Sequence, residues 1–279
     1  MKSEKYDNKH CQEKCKGKYR EKYKENGYVV LRNFFNDTEF NALAIHVDRI
    51  YGKWAKDNAA DIYQHKLVNM HSLTSPEYFE AQPDERIKFF EAIASKKLTT
   101  LLEELFGSGI YFHNTQLFFN PSNSERLPYW HRDMQYSSIS DAIQRAELHN
   151  MLSLHVRIPL LPEKGIELIA GTHQRWDAEL EHNVRLEKNN HKNSEPLPNA
   201  TLIDLSPCDI LIFSAQMIHR GNYFEKHRYA QNPSRKALDL CVGKYHPMTA
   251  EHIDETVLPS ESEMADMSNN DWYQVAWEV

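Results

Sequence analysis

Two residues in the middle of the chain have the types and the spacing of metal ligands. The segment PYWHRDMQY places His131 and Asp133 two residues apart, after a predicted strand. Because alternate residues of an extended chain point to the same face, an imidazole and a carboxylate at this spacing can bind one ion. A third ligand is available in DILIFSAQMIHRGN, where an apolar predicted strand leads into His219. The sequence therefore predicts a mononuclear metal site of His131, Asp133 and His219.

Two imidazoles and one carboxylate on one side of an octahedral ion leave coordination positions open. This ligand set is typical of iron(II) oxygenases, in which a co-substrate and dioxygen take the open positions. His-x-Asp also arises by chance in a chain with 15 histidines, so the spacing alone does not establish the site. A β-barrel metalloenzyme that uses the same three ligands without a 2-oxo acid is an alternative.

Four polar residues on two further predicted strands could extend the site. Asn114 and Gln116 alternate on the strand before the metal-binding segment, so they either hydrogen-bond a ligand inside a barrel or form a polar outer face. His155 and Arg157 share one face of the apolar strand LSLHVRIPLL. If that face points inward, a buried Arg157 without an internal anion would be costly, which makes the pair candidates for binding an anionic substrate group. If it points outward, both are surface residues.

The elements before Ile110 are predominantly helical. GYVVLRNFF predicts a first strand, and Asn36 with Glu39 then forms the signature of a capping box for a helix from about Asp37 to Tyr51. Leucines at helical spacing predict a second helix that ends at Gly107.

From Ile110 onward the pattern changes to short apolar or alternating runs, which are typical of strands. The predicted strands are Tyr111–Phe119, Leu152–Leu160, Glu167–Ala170, Thr201–Leu205, Ile210–Ser214 and Ala237–Tyr245. Many short strands indicate a sandwich or barrel, so we expect a mainly β fold with flanking helices. The polar stretch from Gln174 to Asn199 is predicted to be a long loop, such as a lid over the site.

No repeat or linker divides the 279 residues, and we expect one domain over residues 1–279. Residues 1–26 are charged almost throughout, which does not fit a signal peptide. Residues 248–279 are acidic and uneven, and they predict a tail that crosses the surface, anchored by Trp272 and Trp277.

The four cysteines do not indicate a disulfide scaffold. Cys208 and Cys241 lie in apolar runs and are expected to be buried thiols. Cys11 and Cys15 are spaced like half of a zinc site, but no second pair of ligands lies nearby.

The composition excludes several classes of protein. With 41% hydrophobic and 26% charged residues the chain is globular, and no apolar run is long enough to cross a membrane. A net charge of -7 argues against nucleic acid as a partner, because phosphate binding needs clustered Lys and Arg. We expect a cytoplasmic protein that acts on a small molecule, while the oligomeric state is not predicted.

Several blocks, in this order, resemble the phytanoyl-CoA dioxygenase family of iron(II)/2-oxoglutarate-dependent oxygenases. GYVVLRNFF is similar to the family's opening strand, and HRDMQY to its His-x-Asp block with a Tyr three residues later, here Tyr136. KGIELIAGTHQ resembles the block G-x-L-x-x-x-P-G-S-H, and CDILIFSAQMIHRGN resembles the strand that leads to the distal His. The similarity extends from about Gly27 to Tyr245.

The resemblance implies a double-stranded β-helix, the jelly roll of the cupins, over residues 27–247. It implies iron(II) as the metal, 2-oxoglutarate as co-substrate and dioxygen as oxidant. It also implies an arginine that binds the far carboxylate of 2-oxoglutarate with two parallel hydrogen bonds, which a Lys could not reproduce. Arg235 is the candidate and Arg228 the rival. Tyr136 resembles a family position that lines the pocket, and Asn114 and Gln116 are the other candidates for binding the co-substrate, from their alternation on the predicted strand.

The implied reaction is hydroxylation of an unactivated C–H bond, with decarboxylation of 2-oxoglutarate to succinate. Halogenating relatives lack the carboxylate ligand, so Asp133 favours hydroxylation or a related oxidation. Three departures from the family pattern are the long path from His219 to Arg235, Gly221 in place of a small hydroxyl residue, and Cys208 in place of a Gly. The first two leave open a catalytically impaired member that only binds metal or ligand.

Overall fold

A computed structural model describes residues 17–221, 235–250 and 253–279. Residues 17–26 are helical and are labelled α1. The other helices are α2 (Asp37–Asp57), α3 (Ala59–Gln64), α4 (Asp84–Ile93), α5 (Lys96–Phe106), α6 (Asp141–Glu147), α7 (Glu179–Arg185), α8 (Pro247–Ala250), α9 (Glu261–Ala265) and α10 (Asp271–Glu278). The strands are β1 (Tyr28–Leu31), β2 (Asn69–His71), β3 (Ile110–Phe119), β4 (Ser153–Pro159), β5 (Glu163–Ile169), β6 (Ala200–Leu205), β7 (Ile210–Ser214), β8 (His219–Gly221) and β9 (Lys236–Lys244).

The strands form two antiparallel sheets. The larger sheet has the order β1-β7-β4-β9-β3-β2, and the smaller has the order β6-β5-β8. Ile166 and Leu168 of the smaller sheet belong to one buried cluster with Leu211 and Phe213 of the larger sheet. The sheets therefore pack face to face as the predicted jelly roll, with helices outside, and the fold class is confirmed.

The larger sheet separates a polar interior from an apolar helical layer. Along β4, Leu154, Val156 and Ile158 belong to the main hydrophobic core with the helices, whereas His155 and Arg157 point to the opposite face. This alternation is the normal consequence of an extended backbone. The inner face is thus where polar chemistry is concentrated.

The first long helix begins and packs as its sequence predicts. The Asn36 side chain accepts a hydrogen bond from the Glu39 amide at 2.9 Å, and the Glu39 carboxylate accepts one from the Asn36 amide at 2.9 Å. Leu43, Val47 and Ile50 lie on one face and are buried. Both ends of the capping box satisfy amides that the helix cannot bond internally.

The prediction of one continuous loop from Gln174 to Asn199 is wrong at the seven residues of α7, whereas the rest of the segment consists of turns and irregular chain. The segment contains α7 and is tied into the protein by buried ion pairs: Asp177 accepts hydrogen bonds from Arg132 at 2.8 Å and from Arg185 at 2.9 Å. Only Glu181, Val184, Arg185 and Leu197 of this segment are buried, so a few buried contacts fix a segment whose other residues are partly or fully exposed.

The prediction of a surface tail after Pro247 is also wrong. The segment folds into α8, α9 and α10, and α10 packs against β3. Trp272 is only 1% exposed and the Tyr273 hydroxyl donates to the Phe90 carbonyl at 2.9 Å. Trp272 thus anchors the segment as predicted, while Trp277 is 43% exposed. Met248, Val257, Leu258 and Met267 are buried as well, so the apolar residues of this acidic segment are spread over several short elements and form no long pattern in the sequence.

The remaining predictions concern the cysteines, Arg228 and membrane-spanning segments. Cys208 and Cys241 are free thiols and only partly buried. Cys11, Cys15 and Arg228 lie outside the described residues. Among the helices of the described part, none is long and apolar enough to cross a membrane.

Candidate metal centre and co-substrate pocket

The backbone brings the predicted ligands together from two distant segments. His131 and His219 form an isolated antiparallel bridge, with amide-to-carbonyl distances of 2.9 Å and 3.0 Å in the two directions. The amide of Asp133 donates to the Ala215 carbonyl at 3.2 Å, and Asp133 then begins a 3-10 turn that ends at Tyr136. Asp133 is therefore placed by a turn after a bridge, and not by a continuous strand as the spacing predicted.

The three side chains converge on one point. One ligand atom from each of His131, Asp133 and His219 lies within 4.8 Å of the other two. The Asp133 Oδ1 atom is 3.6 Å from the His131 Nε2 atom and 3.4 Å from the His219 Nε2 atom. The arrangement fits a single ion with donors on one side.

Both imidazoles are oriented by the residue two positions earlier in the chain. The His131 Nδ1 atom lies 3.1 Å from the Tyr129 carbonyl, and the His219 Nδ1 atom lies 3.0 Å from the Met217 carbonyl. A carbonyl oxygen can only accept, so each Nδ1 carries the proton and each Nε2 keeps its lone pair. This bond is the usual support of a metal-binding histidine.

The protonation states also suit a cation. Burial and the neighbouring His219 together lower the pKa of His131 to about 3, and burial likewise lowers the pKa of His219. Burial alone would raise the pKa of the Asp133 carboxyl, but the imidazoles of His155 and His219 bring it well below its usual range. At neutral pH the site offers two neutral imidazoles and one carboxylate.

His155 points into the interior but contacts a ligand of the proposed metal. Its Nε2 atom lies 2.6 Å from the Asp133 Oδ2 atom, and its Nδ1 atom lies 3.3 Å from the Asp239 Oδ2 atom. The ring stacks on Phe213 at 5.0 Å between centroids. Burial alone would lower the pKa of His155, but Cys241 and Asp133 raise it well above its usual value.

The reason for expecting Arg157 to bind an anionic substrate group does not hold. Arg157 is 1% exposed and faces inward, which is one of the two orientations considered from the sequence. However, it donates to Glu163 at 2.7 Å and to Asp239 at 2.8 Å. Its buried charge already has two anionic partners, and sequence reasoning missed both, because they come from β5 and β9.

Arg235 lies in the same interior network. Its Nε atom donates to the Glu163 carboxylate at 3.1 Å and its Nη2 atom to the Gly165 carbonyl at 3.1 Å. Arg235 is 6% exposed and lines the same cavity as His131, Asp133 and His219.

The remaining candidate residues line that cavity as well. The Asn114 amide donates to the Ser72 hydroxyl at 3.0 Å, so part of its hydrogen-bonding capacity serves the fold. Gln116 lies across from Asp239 in the β3–β9 register. Tyr136 is 61% exposed, and its ring centroid lies 5.8 Å from that of His131.

The cavity has a volume of about 620 Å³ and connects the candidate ligands with both arginines. Apart from the predicted residues, its wall includes His71, His113, Phe118, Tyr129, Asp239 and Thr249. None of these has a sequence motif that could have identified it. The volume suffices for a small co-substrate together with a second small molecule.

Comparisons with known proteins agree with this geometry. The profile of the phytanoyl-CoA dioxygenase family matches residues 23–223. A comparison with curated protein sequences found no match.

Solved structures share the fold at low sequence identity. The chain is similar to SnoN, a non-haem α-ketoglutarate-dependent epimerase from nogalamycin biosynthesis, with 13% identity over 84% of each chain and a TM-score of 0.55. It is similar to AviO1 from Streptomyces viridochromogenes, with 13% identity over 82% of this chain and 95% of that chain and a TM-score of 0.55. EctD from S. alaskensis, solved with 2-oxoglutarate and 5-hydroxyectoine, has 16% identity over 81% of this chain and 74% of that chain, with a TM-score of 0.52.

Proposed function

Since the chain belongs to the phytanoyl-CoA dioxygenase family, we propose that it hydroxylates a C–H bond of a small molecule while 2-oxoglutarate is decarboxylated to succinate. It is a non-haem iron, 2-oxoglutarate-dependent dioxygenase, with iron(II) as its metal. The substrate and the position of oxidation are the proposed part.

The convergence of His131, Asp133 and His219 is the observation that carries the proposal. Two neutral imidazole nitrogens and one carboxylate oxygen on one side of an ion match the donor set of non-haem iron(II) oxygenases. When bound there, iron(II) supplies the activation of dioxygen. His131, Asp133 and His219 would hold it, and Asp133 takes the position that halogenating relatives leave to a halide.

The far end of the cavity supports the choice of co-substrate. We infer that Arg235 binds the distal carboxylate of 2-oxoglutarate, because a guanidinium offers two parallel hydrogen bonds to a carboxylate. Glu163 and the Gly165 carbonyl hold the guanidinium from the side. Because the Arg235 side chain is already held in place, it loses less conformational entropy when the co-substrate binds.

The open side of the metal centre would take the substrate. Tyr136 and Tyr129 lie beside His131, with ring centroids 5.8 Å and 5.1 Å from it. Aromatic side chains provide apolar contact area and a polar hydroxyl at once. We infer that they contact the molecule that is oxidised.

The test is to add iron(II) and then 2-oxoglutarate without oxygen. We expect the weak visible charge-transfer band of a metal-bound 2-oxo acid, followed in air by release of succinate. His219→Ala should abolish both signals, whereas replacement of the exposed His65 by Ala should change neither. A folded wild-type protein that binds iron(II) but gives no band would refute the proposal.

A second candidate is a protein that binds metal and ligand without turnover. The observation in its favour is that Glu163 already pairs with Arg235, the expected partner of the co-substrate. Under this alternative the visible band forms, but no succinate appears with any member of a broad substrate library.

A further inference from the structure

We propose that His155 is a positioning residue, which holds one oxygen of Asp133 so that this ligand binds the metal through the other oxygen alone. The inference rests on the proposed function, because it concerns the same metal centre. It assigns to His155 a role different from the substrate contact that its sequence position suggested.

The two oxygens of Asp133 have different surroundings. Oδ1 faces the Nε2 atoms of His131 and His219, at 3.6 Å and 3.4 Å. Oδ2 is turned away from them and accepts a hydrogen bond from His155 Nε2 at 2.6 Å. An oxygen that accepts a short bond from a fixed imidazole is not free to rotate toward the ion.

His155 can hold the Oδ2 atom of Asp133, a role called the His155 clamp below, because its own side chain is fixed. The ring is 6% exposed and lies nearly parallel to Phe213, with an interplanar angle of 13°. Its other nitrogen lies 3.3 Å from Asp239 Oδ2, and Asp239 in turn accepts from Arg157 at 2.8 Å. Side chains held by packing and by hydrogen bonds on both sides retain their rotamer.

The same contacts continue to the arginine at the far end of the cavity. Arg157 donates to Glu163 at 2.7 Å, and Glu163 accepts from Arg235 at 3.1 Å. An unbroken series of buried polar contacts therefore joins the metal-binding carboxylate to the proposed co-substrate arginine. The positions of His155 and Arg235 therefore depend on the same buried residues, Asp239, Arg157 and Glu163.

The number of coordination positions explains why a single bound oxygen is needed. An octahedral ion has six positions, of which two imidazoles and one carboxylate oxygen occupy three. A 2-oxo acid that chelates the metal needs two more, and dioxygen needs the last. A carboxylate that bound through both oxygens would occupy one of these positions, so the His155 clamp keeps the site open.

The test uses variants that separate the hydrogen bond from the shape of the ring. His155→Phe keeps an aromatic ring against Phe213 but donates no hydrogen bond. His155→Gln restores a donor close to the position of Nε2. His46→Phe is the matched control, because His46 is also buried and packs against a phenylalanine, Phe89, with ring centroids 5.3 Å apart, but lies in the helical layer. Thermal unfolding establishes that each variant is folded.

Each folded protein is loaded with cobalt(II) in place of iron, and its visible spectrum is recorded without 2-oxoglutarate. We expect His155→Phe to change the band intensities that report the coordination number, because both oxygens of Asp133 then reach the metal. His155→Gln and His46→Phe should resemble the wild type. An unchanged cobalt spectrum in a folded His155→Phe protein would overturn the inference.

A second readout is the affinity for 2-oxoglutarate in the anaerobic iron(II) protein. The dissociation constant should rise about tenfold in His155→Phe, the loss expected for a hydrogen bond to a charged group, and stay near the wild-type value in His155→Gln. If His155→Phe shows the cobalt effect but the wild-type iron(II) protein gives no band with 2-oxoglutarate, the proposed function fails and the inference about His155 stands. An unaltered dissociation constant in His155→Phe would contradict the clamp alone.

Discussion

At the scale of single residues, the backbone orients the Nε2 atoms of the two histidines that are proposed to bind the metal. His131 and His219 each bond through Nδ1 to the carbonyl two residues earlier, so the orientation of each ring is set by its own short stretch of backbone. Burial would raise the pKa of the Asp133 carboxyl between them, but His155 and His219 lower it well below its usual range, so the group is ionised. The folded chain thus presents its donors in the protonation states that a divalent cation needs.

Asp133→Ala tests the anionic ligand. The substitution removes the carboxylate that lies between the two imidazoles, so we expect iron(II) or cobalt(II) affinity to fall by about 100-fold or more and succinate formation to disappear. Metal titration followed by absorbance measures the affinity. The control is Asp61→Ala, which replaces an exposed carboxylate on α3. Equal metal affinity in the two variants would contradict the assignment of Asp133.

Arg235→Lys tests the co-substrate partner. A lysine keeps the positive charge but not the paired hydrogen bonds, so KM for 2-oxoglutarate should rise by about 10- to 100-fold while metal affinity is unchanged. The parallel variant Arg228→Lys decides between the two candidates named from the sequence. A large effect on KM in Arg228→Lys with none in Arg235→Lys would assign the role to Arg228.

At the scale of elements, the turn before β7 is bonded to the residues that follow β1. Asp209 Oδ1 accepts from the Asn33 amide at 2.9 Å, and Oδ2 accepts from the Ser206 amide at 2.9 Å and from Arg32 at 2.7 Å. Cys208 has a φ of 72°, the left-handed conformation that glycine adopts most easily. The family's usual glycine at this position is therefore explained by the backbone.

Asp209→Asn tests this turn through its pH dependence. Burial would raise the pKa of Asp209, but the amides of Ser206 and Asn33 and the Arg32 guanidinium lower it overall. A carboxyl with a lowered pKa in the folded state stabilises the fold above its unfolded pKa, and this contribution is lost as the pH falls through the folded-state value. Urea unfolding should show the variant about 1–3 kcal/mol less stable at neutral pH.

The difference between wild type and Asp209→Asn should be constant above about pH 5 and should shrink in more acidic solution. The sign follows because protonation removes the same interaction that the substitution removes. A difference that grew on acidification would show that the ionised carboxylate does not stabilise the turn.

At the scale of the whole molecule, the larger sheet has one face toward the site and the other toward the helices. The C-terminal helix α10 closes the helical side against β3. Trp272 and Tyr273 are buried there, while Trp277 on the same helix remains 43% exposed. The acidic C-terminal segment is thus part of the support of the strand that carries Asn114 and Gln116.

Trp272→Ala tests that support. Removal of a buried tryptophan leaves a cavity, and we expect the free energy of unfolding to fall by about 3–5 kcal/mol. Trp277→Ala is the matched control, since it changes the same residue type on the same helix and should cost much less. Chemical denaturation of both variants measures the difference, and equal losses would show that α10 does not stabilise the fold through Trp272.

The sequence predicted local features better than contacts between distant segments. The strand Ile210–Ser214 has the predicted bounds because it is one continuous apolar run between turn residues. His131, Asp133 and His219 were predicted as ligands from residue type and spacing, and the structure brings all three together, although a turn rather than a strand places Asp133. Glu163 and Asp239 could not be found, because no local pattern marks a carboxylate whose partner is an arginine on another strand.

The buried charges around the site have a further consequence for the order of binding. Six ionised groups lie in continuous contact: Asp133, Glu163, Asp239, His155, Arg157 and Arg235. Burial would lower the pKa of His155, but Cys241 and Asp133 raise it well above its usual value, so its positive charge and those of the two arginines balance the three carboxylates. A bound divalent cation adds two positive charges to this balance, and a doubly negative 2-oxo acid offsets them. Iron(II) and 2-oxoglutarate should therefore each bind more tightly when the other is already bound.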